Sequence, residues 1–86
     1  MPYEMRIAEG STVRWVETIV GDSYGDAALF IALKQLRALG AAETELAAFD
    51  AHLRHVHETQ HGELNIGVGD TVSGRAGKFD VLISRT

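Results

Sequence analysis

Histidines and neighbouring acids supply the spacing in this chain that most resembles a chemical site. All four histidines lie between positions 52 and 61, and the stretch HVHETQHGE contains His57-Glu58-Thr59-Gln60-His61. On a helix, imidazoles at i and i+4 fall on one face and can both reach a single Zn²⁺. A glutamate beside the first of them can polarise a metal-bound water as general base. At about 100° per residue, His57, His61 and Asp50 share one flank of such a helix, whereas His52 and His55 point to the other. His57 and His61 are therefore the candidate metal ligands, zinc the candidate cofactor, and Glu58 the candidate base.

This five-residue pattern is similar to the HExxH signature of zinc hydrolases, and that resemblance implies a third protein ligand downstream. The extended form HExxHxxGxxH requires Gly at position 64 and His at position 67, where this chain has Leu64 and Gly67. A distant glutamate fails as well, because the last glutamate is Glu63; Asp70 and Asp80 are the remaining acids. Zinc hydrolase domains of this type are also considerably larger. The simpler reading is a set of solvated histidines at the end of a helix, where positive charge meets the negative end of the helix dipole. On that reading the chain needs no cofactor.

Other patterns are weaker. PYEMRIAEG is similar to the first strand of the tautomerase family, whose free N-terminal proline amine acts as general base. Here Met1 precedes Pro2, and a strand is expected where that family has a helix. SGRAGK lacks the spacing of a phosphate-binding loop, since Gly74 lies three residues before Gly77 and Phe79 replaces the Ser/Thr. Ser73 lacks a nucleophile elbow.

The elements that would position these residues follow from hydrophobic periodicity. Tyr3, Met5 and Ile7 alternate with Glu4, Arg6 and Ala8, which predicts a half-buried strand followed by a turn at Glu9-Gly10-Ser11. Residues 12 to 20 predict a second strand with Val13, Trp15 and Ile19 on one face and Val16, Thr18 and Val20 on the other. Apolar residues on both faces predict a central strand or one at an interface. Ser23-Tyr24-Gly25-Asp26 matches a capping box, followed by a helix with Leu29, Ala32, Leu33, Leu36 and Leu39 inward and Gly40 at its end. Phe30 and Ile31 fall outside that stripe and suggest a second contact. A second helix carries Leu46, Phe49, Leu53 and Val56 inward, with Gly62 after it. Leu64, Ile66 and Val68 predict a third strand, residues 73 to 78 a loop, and Phe79, Val81 and Ile83 a fourth strand. The expected fold is α+β in the order ββααββ: an antiparallel four-stranded sheet with a helical hairpin packed on one face, as a single small domain over residues 1–86.

Composition narrows the function. The 86 residues contain no cysteine, which excludes disulfides, thiolate metal sites and thiol nucleophiles. No apolar run resembles a signal peptide or a membrane span, so a cytoplasmic protein without membrane contact is expected. The net charge of -4 arises in residues 1 to 50, which hold eight acids against four bases. A nucleic-acid binder normally shows a basic surface, so direct DNA or RNA binding is disfavoured.

The expectation is a small non-enzymatic module that binds a protein partner, with self-association as a homodimer through Val16, Val20 and Leu82. One alternative is an acidic, phage-type inhibitor that occludes a nucleic-acid-binding machine. Its motivation is the run from Trp15 to Ile31, which holds Glu17, Asp22 and Asp26 and no base. The other alternative is the zinc-dependent hydrolase.

Overall fold

The computed structural model describes residues 2–21, 25–57 and 62–86. Its elements are β1 (Pro2–Glu9), β2 (Thr12–Val20), α1 (Asp26–Ala38), α2 (Glu43–His57), β3 (Thr71–Ala76) and β4 (Phe79–Arg85). All strand pairs are antiparallel, in the order β2-β1-β4-β3. The expected α+β fold and its ββααββ order are therefore present. None of the described helices is long and apolar enough to cross a membrane.

Both hairpins close through a glycine. Gly10 (φ +60°) and Gly77 (φ +59°) each occupy the first position of a two-residue turn, between the pairs Glu9–Thr12 and Ala76–Phe79. A positive φ at that position followed by an ordinary one is the type II′ pattern, whose twist matches that of paired strands. Gly40 (φ +100°) ends α1: its amide donates to the Arg37 carbonyl, and the Ala41 amide donates to that of Leu36. This pair of bonds is a Schellman motif, and it turns the chain directly into α2.

The inner sheet face is apolar. Tyr3, Met5 and Ile7 of β1 are fully buried, as is Ile83 of β4, with Val81, Phe79 and Val72 nearly so. Ala28, Leu29, Ala32 and Leu36 of α1, and Leu46, Phe49 and Leu53 of α2, complete the core. α1 lies over β1 and β4, α2 lies over β3, and the helices pack on each other. Val56 shares the sequence pattern of the α2 stripe, yet the buried stripe stops at Leu53 and Val56 is exposed.

Several local expectations are corrected. The third strand is Thr71–Ala76, and the segment holding Leu64, Ile66 and Val68 is irregular. Leu64 and Ile66 are nonetheless buried, because the segment packs against the start of α1: Gly25 donates its amide to the Leu64 carbonyl, and a Cβ at Gly25 would lie 2.7 Å from Ile66 Cδ1. The α1 N-cap is Gly25, with no side-chain cap, so Asp26 is the first helical residue and not the third of a capping box. Ser23 lies outside the described residues. β2 is an edge strand, not a central one. Its register slips opposite Ile7 and Ala8, which pair with Trp15 and Val13, so Arg14 is the extra residue of a β-bulge. The slip moves Val13 away from the face of Trp15 and Ile19 to that of Val16.

Gly74 explains why SGRAGK is strand and turn where its composition suggests loop. The Phe49 ring lies against its bare Cα, and a Cβ there would approach ring carbons at 2.7 and 2.9 Å. Phe49 is 1% exposed and has no room to move aside. Gly74→Ala should therefore destabilise the fold by about 1–3 kcal/mol, the usual cost of overpacking. The neighbouring exposed Ser73→Ala should stay within about 0.5 kcal/mol of the parent. Urea unfolding of the two variants checks this, and equal midpoints would contradict the packing.

Candidate interaction surface

The surface left open by this packing is the outer face of the sheet, and its composition follows from the registers. Residues directly opposite one another in an antiparallel pair share a face. Arg6 faces both Val16 and Leu82, Leu82 also faces Ser73, Glu4 lies between Thr18 and Ser84, and Ala8 lies between Val13 and Asp80. Val16, Val20 and Leu82 are thus on one face, as the strand periodicity requires, but they do not form one continuous patch. Arg6 separates Val16 from Leu82, and its guanidinium is 3.8 Å from the Glu4 carboxylate. The apolar exposure concentrates on β2, where Val13, Val16 and Val20 are 52%, 46% and 85% exposed.

Neither helix makes a substantial contact with β2. Its inner-face residues Trp15 and Ile19 are half-buried against the rim of the core, and Glu17 lies between them opposite Met5. Glu17 is exposed. Arg14 and Lys78 both pair with Glu9. Burial opposes ionisation of Glu9, but hydrogen bonds and charge from Lys78 and Arg14 outweigh it and lower its pKa.

The remaining acids of the expected surface are placed differently. Asp22 lies outside the described residues. Asp26 is engaged within the molecule: Oδ1 accepts from Arg54 Nη1 at 3.2 Å and Oδ2 from the Leu64 amide at 3.0 Å. Arg54 also donates from Nε to Asp50 Oδ1 at 3.2 Å and from Nη1 to the Gly62 carbonyl at 3.0 Å. The stretch from Trp15 to Ile31 has no base in sequence, but folding brings one to Asp26. The i,i+4 spacing of Asp50 and Arg54 was visible in the sequence; the long-range partner was not.

Of the candidate metal ligands, His57 is the last residue of α2 and is half-buried. Glu58 and His61, which complete the motif, lie outside the described residues. Asp50, on the same flank in the helical projection, is occupied by Arg54. Among the described residues, no group of three His, Cys, Asp or Glu side chains is placed to hold a metal ion.

Shallow hollows lie on the helical layer among the described residues, two of them beside α1. One, of about 260 Å³, lies between Leu33 and Arg37 of α1 and Glu43, Leu46, Ala47 and Asp50 of α2. The other, of about 350 Å³, is bounded by Phe30, Leu33, Lys34 and Arg37. Both are at the small end for ligand pockets. Of the two residues outside the α1 stripe, Ile31 packs against the core rim and Phe30 is exposed. Arg37 is committed to Glu43 through two hydrogen bonds, Nε to Oε2 at 2.9 Å and Nη2 to Oε1 at 3.1 Å. This bidentate contact holds the Glu43 carboxyl below its ordinary value of 4.5.

No protein-family model, curated protein or solved structure matches the chain.

Two outcomes follow from these ion pairs. Asp26→Ala should destabilise the protein by about 1–3 kcal/mol, because it leaves the Leu64 amide without its acceptor and removes one of the two acceptors of Arg54 Nη1. Faster hydrogen exchange at the Leu64 amide checks it, and unchanged protection would count against the network. For Glu43 the folded-state pKa is depressed, so its contribution to stability is complete above the unfolded value and disappears as pH falls through the folded one. Arg37→Gln should raise the Glu43 titration midpoint in a carboxyl NMR experiment; an unmoved midpoint would refute the assigned cause.

Proposed function

We propose that this chain is a small non-enzymatic protein-interaction module that works through the outer side of its sheet, with a second copy of itself as a partner. One observation carries the reading: the valines of the edge strand β2 face solvent on the side of the sheet opposite the helices. An apolar side chain left 85% exposed on an ordered strand, as Val20 is, gains by contact with a partner. The mixed charges of the same face, Glu4, Arg6, Arg75 and Asp80, supply the polar surroundings expected around a recognition patch. Glu17 adds an acidic group at the same edge.

Self-association through this surface makes Val16→Lys the informative variant. A charge placed in an apolar contact is costly, so the variant should shift toward monomer in sedimentation while its helix content by circular dichroism stays that of the parent. A mass equal to the parent's across the same concentration range would remove Val16 from any interface.

A further inference from the structure

The backbone of β2 carries more information than its side chains. Thr86 donates its amide to the Pro2 carbonyl at 3.1 Å, and Arg85 donates its own to Asp70 at 3.0 Å. In an antiparallel ladder the amide and carbonyl of one residue point to the same side, and successive residues point to opposite sides. Pro2, Glu4 and Arg6 therefore bond toward β4, and Tyr3, Met5 and Ile7 bond toward β2. Opposite these last three stand Ile19, Glu17 and Trp15, whose backbone groups are consumed by β1. The amides and carbonyls of Val16, Thr18 and Val20 are consequently directed to the free edge. Among the described residues, no element lies along that edge.

We propose that β2 pairs antiparallel with β2 of a second copy about a twofold axis at Thr18, joining two four-stranded sheets into one. The inference rests on the self-association reading above and specifies the contact. In this register Thr18 stands opposite Thr18 of the second copy, and Val16 opposite its Val20. All three outward-directed residues then exchange both of their hydrogen bonds, about six in total. The β-branched side chains of these residues also meet across the seam on the outer face, a favourable cross-strand combination.

Neighbouring registers are worse for definite reasons. Centring on Glu17 sets two carboxylates directly opposite each other, which is destabilising. Centring on Val16 runs Thr18 into the bulge at Arg14, where the ladder is interrupted. Centring on Thr18 keeps the paired stretch within residues 15–21, beyond the bulge, and sets Glu17 against Ile19. The other edge is less suited: β3 directs Thr71, Ser73 and Arg75 outward, and a charged residue on a short edge strand discourages pairing.

The absence of cysteine allows a direct test. Thr18→Cys brings its two sulfurs to a pair with Cα atoms about 5.5 Å apart, within disulfide range. Mild oxidation should convert that variant to a covalent dimer, while Ser73→Cys, on the same face but on the opposite edge strand β3, should cross-link only at background level. Thr18→Pro removes an amide that the monomer does not use, so it should keep its fold and lose the dimer. Sedimentation should extend to about 100 μM protein, because interfaces below about 1,200 Å² are commonly weak. A parent dimer in which Thr18→Cys cross-links no better than Ser73→Cys would overturn the edge pairing and leave the self-association reading standing. A parent that is monomeric throughout that range would overturn both. If Thr18→Pro fails to fold, the two cysteine variants still decide the question.

Discussion

The seating of Phe49 on the bare Cα of Gly74 is the contact from which the rest of this architecture follows. It holds α2 over β3, at one margin of the sheet, because a side chain at position 74 would lift the helix away. The short Schellman connection then leaves α1 only the adjacent track, over β1 and β4. Two helices spaced about 8–10 Å apart span roughly as much sheet as three or four strands spaced about 4.8 Å apart. With α2 fixed at the β3 margin, the strand left without a helix is β2. Its half-buried Trp15 and Ile19, and its exposed valines, are consequences of helix placement more than of its own composition.

Three arginines fasten this arrangement at points the apolar core does not reach. Arg54 joins the start of α1, the body of α2 and the segment at residue 62, while Arg37 ties the end of α1 to the start of α2. Arg85 donates to the Ile66 carbonyl and lies 5.9 Å from the centroid of the Tyr3 ring, fixing the irregular segment to the sheet. Surface pairs of this kind add little stability individually. Their effect here is geometric, since Arg54 and Arg85 join segments distant in sequence and Arg37 clamps the two helices across their short connection. Asp26, an apparent surface acid in the linear sequence, belongs to this internal set.

The β2 edge is divided in its chemistry. Its first half carries the bulge at Arg14 and the contact of that residue with Glu9, features that disfavour further strand pairing. Its second half, from Val16 to Val20, is regular, β-branched apart from Glu17, and open along its length. Selective protection of one half restricts which registers a second strand can adopt, and a restricted register separates specific recognition from indiscriminate edge aggregation.

Local periodicity determined much of this protein. Alternation in Tyr3, Met5 and Ile7, the glycine turns at Gly10 and Gly40, and the apolar stripe of Leu46, Phe49 and Leu53 gave the order ββααββ and the α+β fold, because each depends on neighbours a few residues away. The same reasoning put Val16, Val20 and Leu82 on one sheet face. It erred where a distant residue sets local structure. Gly74 reads as a loop residue until Phe49 is known to cover it, Ser23 and Asp26 read as a capping box until Arg54 and the Leu64 amide take the carboxylate, and Leu64 to Val68 reads as strand until its packing on Gly25 is seen. Only the tertiary structure could decide that β2 is an edge, that Arg6 divides Val16 from Leu82, and that the backbones of Val16, Thr18 and Val20 point outward. Strand order and hydrogen-bond parity depend on which segments meet across the whole chain, and no spacing within a single segment encodes them.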